Sequence, residues 1–149
     1  VALGIARAAI DELVRLAQSK RRINSTATLA DRAHSHLEVA RAEAALRSAR
    51  AFYYESIEAA WLVAQAGEKV SIDQRRDIRL ATTHAVEASI KTVDAMYTLG
   101  GGSAVYADSA LQRHFRDVHM TSQHIMVAPS TLETVGRLYL GVEAQTATL

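Results

Sequence analysis

The sequence contains no cysteine, a single proline and few glycines before Gly100. Without cysteine the chain forms neither disulfides nor thiolate sites, which makes a reducing cytoplasm the expected location. No apolar run is long enough to cross a bilayer, and a formal net charge of +1 gives no strong field that would attract nucleic acid or anionic lipid. We therefore expect neither a membrane nor a nucleic acid as a partner of this protein.

Long stretches without helix breakers, rich in Ala, Leu, Arg and Glu, indicate an all-α fold. No segment alternates polar and apolar residues as a half-buried strand does. The first predicted helix covers Val1–Ser19, and a polar connector follows over Lys20–Arg32. A long second helix ends near Ala66 with Gly67 as its left-handed cap, and a third helix runs from a capping box at Ser71 and Gln74 to the glycines at 100–102. A helical segment then carries RHFRDVHMTSQH, and a last helix runs from a capping box at Ser130 and Glu133 to about Gly141.

This order predicts an up-down four-helix bundle with an extra short C-terminal helix. The 149 residues suit a single helical domain. Because the chain starts in helical rhythm without an initiator Met, we expect residues 1–149 to be the C-terminal part of a longer protein.

Three of the six histidines, His114, His119 and His124, lie five residues apart in one segment. Five residues turn a helix by about 140°, so the three side chains point in different directions, and no metal site is expected. His114 and His119 are expected to be partly exposed structural residues. His124 precedes IMVAP, where spacing alone leaves it either a satisfied core residue or a side chain directed into a cleft. Arg116 and Asp117, adjacent on one helix, are expected to reach different partners.

Two other segments each allow a structural and a functional interpretation. The glycines of GGGSAVY either end a helix or expose backbone N–H groups that cradle a phosphate, although the lysine and the preceding strand of a P-loop are missing. The cations of SKRRIN either complement a helix dipole in solvent or bind a phosphate at a subunit interface. A row of aromatic residues is expected in the core or an interface, comprising Phe52, Tyr53, Tyr54 and Trp61.

The order of these segments resembles the C-terminal helical domain of the acyl-CoA dehydrogenase superfamily. In that family a helix runs into GGxGY and is followed by a stretch like (V/L)xRxxRD, and here the same places read GGGSAVY and LQRHFRD. The resemblance covers essentially the whole chain. Many acyl-CoA dehydrogenases carry YEGT shortly after the RD pair, with its Glu as the catalytic base, whereas the corresponding HMTSQHIMVAPS has no carboxylate.

The pattern RDxxxxSxH instead resembles a sister branch, the two-component flavin-dependent monooxygenases, which include dibenzothiophene monooxygenase and the related steroid-ring and phenol hydroxylases. The resemblance implies a reduced flavin, FMN or FAD, delivered by a separate flavin reductase, together with O₂, a small-molecule substrate and a homo-oligomer, expected to be a tetramer. In that branch a histidine at the position of His124 lies by the reactive edge of the flavin. His124 is therefore the catalytic candidate, since imidazole donates or accepts a proton near neutral pH.

The same resemblance implies roles for the two ambiguous segments. Gly101, Gly102 and Ser103 would approach the flavin phosphate through their backbone. Arg21 or Arg22 would bind the phosphate of a flavin held mainly by a neighbouring subunit, and the sequence does not choose between them.

Three functions follow for comparison with the structure. The first is the C-terminal domain of a flavin-dependent monooxygenase that hydroxylates an aromatic or heteroaromatic compound, inactive as an isolated fragment. The second is the same domain of an acyl-CoA dehydrogenase whose catalytic base lies elsewhere. The third is a non-catalytic helical bundle whose Ala-rich faces mediate oligomerisation.

Overall fold

Five α-helices make up most of the computed structural model, which describes residues 1–21, 25–147 and 149. They are α1 (Ala2–Ala17), α2 (Ala33–Gln65), α3 (Ile72–Gly100), α4 (Ala110–Thr121) and α5 (Ser130–Tyr139). Short 3₁₀ turns lie at Leu29–Asp31, Gly101–Ser103 and Ile125–Val127. The described residues contain no strand, and the predicted all-α class is confirmed.

Helix α3 forms the centre of the bundle, since it contacts α1, α2, α4 and α5. The core between α1, α2 and α3 is built largely from alanines, of which Ala6, Ala9 and Ala49 are fully buried. Such small side chains let helices approach closely. Larger residues fill the space between α1, α3 and α4, where Leu13, Met96, Leu111 and Val118 are 0–1% exposed. Within the described ranges, no helix combines the length and hydropathy that crossing a membrane requires.

Helix ends show where local sequence signals decided the structure. The predicted capping box of α3 is confirmed, because the Ser71 hydroxyl accepts from the Gln74 N–H at 3.2 Å while Gln74 Oε1 accepts from the Ser71 N–H at 2.9 Å. Gly67, with a φ of +76°, follows α2 in the left-handed region as predicted.

The predicted capping box at Ser130 and Glu133 is wrong. Ser130 is the first residue of α5, and the capping position is taken by Pro129, whose φ of −52° and ψ of −28° are already helical. The proline ring fixes φ near the helical value, so the chain enters the helical conformation one residue earlier than the capping box requires.

The expectation that Arg116 and Asp117 reach different partners is also wrong. Arg116 Nε lies 3.6 Å from Asp117 Oδ1, because the long arginine side chain folds back along the helix surface even though adjacent Cβ atoms diverge. Both side chains are largely exposed, so this pair contributes little to stability. In the aromatic row, Tyr54 and Trp61 are 50% and 60% exposed, which excludes them from the core of this chain.

Candidate functional site

A cleft of about 860 Å³ lies where the connector after α1 meets the turn after α3. Its walls bring together four of the predicted cofactor-binding residues, Arg21, Gly101, Gly102 and Ser103, which are separated by about 80 positions in the sequence. The fifth, Arg22, lies outside the described residues. The other residues of the wall are Lys20, Leu29, Arg32, His34, Ser35, Thr98, Leu99 and Tyr106.

The connector is folded so that its basic end faces the cleft. Arg21 and Thr28 form an isolated antiparallel bridge, and the N–H of Leu29 donates to the carbonyl of Lys20 at 2.7 Å. Leu29 is 4% exposed and joins the hydrophobic core, which anchors the returning end of the connector. Arg21 is left exposed at the mouth of the cleft.

The glycine turn has its shape because two of its positions reject a side chain. A Cβ atom on Gly100 would lie 2.7 Å from Leu111 Cδ1 and 3.0 Å from the Ala104 Cβ, so α3 and α4 reach their close approach only with glycine there. Gly101 has a φ of +50°, which favours glycine strongly. The turn thus brings its backbone to the cleft with no side chain on Gly101 or Gly102, while the N–H of Gly101 itself donates to the carbonyls of Tyr97 and Thr98.

Lys20 ties the two walls of the cleft together. Its ammonium donates to the carbonyl of Gly100 at 2.5 Å and to the hydroxyl of Ser103 at 2.6 Å. A cation there satisfies a carbonyl at the C-terminal end of α3, where the helix dipole favours positive charge. Burial lowers the pKa of Lys20, and the neighbouring Arg32 guanidinium lowers that pKa further.

The first turn of α2 adds donors to the same cleft. No side chain of the described residues caps this turn, and it contains no acidic residue. The Ser35 hydroxyl is buried, and it has no hydrogen-bond partner within the ranges that the structure describes. The cleft wall contains no Asp or Glu among its described residues, whereas it holds Lys20, Arg21 and Arg32. Backbone N–H groups, cations and an orphan hydroxyl fit a phosphate.

His124 stands apart from this cleft, on the turn that follows α4. It is the capping residue of the 3₁₀ turn Ile125–Val127, and its Nδ1 accepts from the backbone N–H of Met126 at 3.2 Å. A ring nitrogen that accepts a hydrogen bond carries no proton, so neutral His124 is protonated at Nε2. The side chain is exposed, which excludes the core alternative. It therefore presents an N–H donor to whatever lies over this turn.

The two candidate regions lie towards opposite ends of α3. The turn that carries His124 is bound to α3 at Arg79, which donates to the carbonyl of Met126 at 2.7 Å, and the glycine turn begins at Gly100. These two positions on one helix are roughly 30 Å apart at 1.5 Å per residue. One copy of the chain therefore does not place this cleft and His124 around the same small ligand.

The two histidines of α4, His114 and His119, lie among other side chains of the bundle. His119 Nε2 lies 2.9 Å from Asp94 Oδ1 on α3, and its ring packs on Phe115 with 4.6 Å between centroids. His114 is partly buried, and burial lowers its pKa, with Arg113 contributing in the same direction. Both are partly exposed, as predicted. No group of three or more potential ligands able to hold a metal ion occurs in residues 1–21, 25–147 and 149.

Sequence reasoning missed the contributions of Arg32, His34 and Ser35 to the cleft. They belong to the end of the connector and the start of α2, and no motif marks them. It also missed Arg79, which reads as one polar residue within an amphipathic helix although it is 8% exposed. The sequence offered one indication of this burial, namely that Arg79 is a charged residue on the apolar side of the helical pattern.

Comparison with known proteins gives the chain its family. The model of the acyl-CoA dehydrogenase C-terminal domain matches residues 1–129. An indole-3-acetate monooxygenase of Pseudomonas putida is 40% identical over 95% of this chain, which spans 36% of the length of that relative. Among solved structures, the 3-HSA hydroxylase of Rhodococcus sp. RHA1 superposes with a TM-score of 0.88 at 20% identity, over 99% of this chain and 39% of that protein.

XiaF from a Streptomyces species, solved in complex with FADH2 and glycerol, superposes with a TM-score of 0.87 at 20% identity, over 95% of this chain and 36% of that protein. These similarities at low identity establish the fold, and the family match over most of the chain establishes its ancestry. The chain belongs to the acyl-CoA dehydrogenase C-terminal domain family.

Proposed function

We propose that this chain is the C-terminal domain of a monooxygenase that uses reduced flavin and O₂ to hydroxylate an aromatic or heteroaromatic compound. The observation that carries the proposal is His124, an exposed imidazole with Nε2–H outward, in a segment, 118–129, that contains no carboxylate. An enzyme that removes an α-proton from an acyl thioester needs a base of suitable strength. The glutamate carboxylate that serves as this base in many acyl-CoA dehydrogenases is absent from this segment. The 40% identity to an indole-3-acetate monooxygenase supports the same choice.

The cleft at the other end of α3 is proposed to hold the flavin phosphate. Arg21 would pair with the phosphate oxygens, and the backbone of Gly101 and Gly102 would approach them closely. The Ser35 hydroxyl, which is buried without a partner among the described residues, would gain one. Bound flavin, FMN or FAD, would supply the electrons that activate O₂. At the other end of α3, His124 would hold a proton at Nε2 and donate it in a hydrogen bond to the reacting group.

The separation of these two regions supports the assembly we propose. Because roughly 30 Å of α3 lies between them, the cleft of one subunit would bind the phosphate of a flavin whose ring lies near His124 of another subunit. This geometry calls for at least two subunits, and we propose a homotetramer because the resemblance to the two-component flavin-dependent monooxygenases implies one. We also propose that a separate reductase delivers the reduced flavin. We propose a cytoplasmic location for the protein, with which the absence of cysteine is consistent.

The test uses the intact protein that carries this chain. We expect a hydroxylated product when photoreduced FMN or FAD, air and a panel of aromatic acids beginning with indole-3-acetate are supplied, and no product when O₂ or reduced flavin is omitted. The parallel assay supplies acyl-CoA and an electron-accepting dye without O₂. Dye reduction in that assay would assign the chain to a dehydrogenase and end the monooxygenase proposal.

A flavin-dependent change in stability separates both enzymes from a non-catalytic bundle. A ligand present at 100 times its Kd stabilises the folded state by about 2.7 kcal/mol. We expect reduced flavin to raise the melting temperature of the intact protein and Arg21→Ala to diminish that rise. A melting temperature that stays unchanged at every flavin concentration would favour a purely structural role.

A further inference from the structure

The turn that carries His124 is held by a buried guanidinium on α3. Arg79 is 8% exposed, and its Nη1 donates to the carbonyl of Met126 at 2.7 Å. The side chains of Ile125 and Met126 are 77% and 41% exposed, so hydrophobic burial of these two residues does little to fix the turn. Val127, the third residue of the turn, is half-buried, and hydrogen bonds to the backbone supply the remaining contacts that position the turn.

Met126 connects Arg79 to the imidazole. Its carbonyl accepts from Arg79, and its N–H donates to His124 Nδ1 at 3.2 Å. That N–H and that carbonyl belong to the two planar peptide units on either side of the Met126 Cα, so the bond from Arg79 to the carbonyl restricts the rotation of residue 126 and thereby the direction of its N–H. The guanidinium of arginine is always a donor and never an acceptor, so it suits the carbonyl of Met126 as a partner.

A second contact fixes the same turn from the next position on that face of α3. Thr131 Oγ1 donates its only proton to the carbonyl of Ala128 at 2.7 Å. It must therefore accept from Thr83 Oγ1, which lies 2.9 Å away. Arg79 and Thr83 are four residues apart on α3 and so lie on one face. Arg79 holds the carbonyl of Met126 directly, and Thr83 reaches the carbonyl of Ala128 through the hydroxyl of Thr131.

We propose that Arg79 is a positioning residue for His124. Through Met126 it holds Nδ1 as an acceptor and so keeps the Nε2–H directed outward, with the Thr83–Thr131 pair as a secondary anchor. The catalytic consequence rests on the proposed function, whereas the effect on the geometry of His124 does not. Arg79 itself is buried and would not touch substrate or flavin.

The experiment compares four variants of the intact protein: Arg79→Met, Arg79→Lys, His124→Ala and the double variant Arg79→Met with His124→Ala. Two quantities are measured, namely the hydroxylated product formed per reduced flavin oxidised and the distance between Met126 N and His124 Nδ1 in crystal structures. A displacement of about 1 Å at a catalytic group costs on the order of 100-fold in rate. We expect Arg79→Met to lose the hydrogen bond and to lower product yield towards that of His124→Ala.

Three comparisons separate positioning from general destabilisation. Arg79→Lys retains a buried cation with N–H donors, and it should recover part of the lost yield. Arg7→Met removes another partly buried arginine, one that binds Glu43 between α1 and α2 at 2.7 Å, and it should leave product yield unchanged even if it melts earlier. The double variant should be no worse than His124→Ala alone, because both changes act through one imidazole.

The inference would be overturned if the Arg79→Met protein kept the Met126–His124 hydrogen bond. It would also be overturned if the double variant lost more product yield than His124→Ala alone. If His124→Ala is as active as the unaltered protein, the proposed function of His124 fails, and the crystallographic distance still decides whether Arg79 positions it. If Arg79→Met does not fold, Thr131→Val with Thr131→Ser as its conservative partner tests the secondary anchor by the same two measurements.

Discussion

The two ends of α3 present opposite kinds of site. At the C-terminal end, the cleft around Gly101 combines several cations, the start of α2 and an exposed backbone turn. At the N-terminal end, one imidazole precedes a three-residue turn, and the carbonyls of Met126 in the turn and of Ala128 after it each accept a side-chain hydrogen bond. Binding through many moderate contacts tolerates the loss of any one of them. Chemistry that depends on a single proton-carrying atom does not.

The ends also differ in what holds them in place. Close packing sets the glycine turn, since Gly100 faces the fully buried Leu111 and the Ala104 Cβ. At the turn after His124, Ile125 and Met126 are exposed and Val127 is half-buried, so side-chain hydrogen bonds to the backbone carry a larger share of the contacts. Disturbing the first end should therefore reduce stability and flavin affinity, whereas disturbing the second should reduce the yield of product.

The largest effect is expected for His124→Ala. General acid–base groups contribute about 10²–10⁴-fold to a rate, so hydroxylation should fall by that order while reduced flavin still binds and still reacts with O₂ to release H₂O₂. The measurement is product and H₂O₂ per flavin oxidised. His114→Gln is the matched control, because His114 is a partly buried histidine of the same segment with structural surroundings. Equal losses in the two variants would contradict the distinction drawn between these histidines.

A smaller effect, and one on stability, is expected for Gly100→Ala. The added Cβ would lie 2.7 Å from Cδ1 of the buried Leu111, so this side chain would have to shift within the core. Overpacking of this kind costs about 1–3 kcal/mol, which denaturant titration of the intact protein resolves. Gly136→Ala is the control, since nothing lies within 4 Å of its added Cβ and alanine favours a helix. A neutral Gly100→Ala would show that α3 and α4 are not in close contact at this end.

The smallest effects are expected for single cations of the cleft. Arg21→Ala and Lys20→Met should each raise the Kd for reduced flavin about tenfold, equivalent to about 1.4 kcal/mol. Exposed Arg47→Ala and Lys91→Met, both on helix surfaces, should leave the Kd unchanged.

Because burial lowers the pKa of Lys20, its charge is present at lower pH and is lost as pH rises through that pKa. Flavin binding should weaken at alkaline pH, and Lys20→Met should flatten this dependence. A Kd that falls as pH rises would contradict the assignment of a phosphate to the cleft.

Much of the architecture was predictable from local signals. The Ser71–Gln74 capping box and the left-handed Gly67 are decided within a few residues, and the structure has both. The start of α5 was placed wrongly because the helical φ and ψ of Pro129 outweighed the capping signal of Ser130. The grouping of Arg21 with the glycine turn came from family resemblance, since no local rule links residues 80 positions apart.

The features that sequence reasoning missed depend on tertiary structure. In the sequence Arg79 is one of several charged residues in the first turns of α3, and only the tertiary structure shows that it is buried beneath the turn that contains Met126. Ser35 reads as one of several polar residues in AHSH, and only the packing of the connector buries its hydroxyl. Local periodicity predicts which side of a helix is apolar, but the identity of the residues that pack against it comes from the other helices.

A crystal structure of the intact protein with bound flavin would show the surroundings of both ends of α3. We expect His124 Nε2 within hydrogen-bond distance of the flavin ring system or of a reactant placed on it, and the phosphate of a second flavin in the cleft with Arg21 and Ser35. A flavin whose ring lies far from every His124 in the assembly would contradict this expectation, as would a cleft that contacts no flavin phosphate.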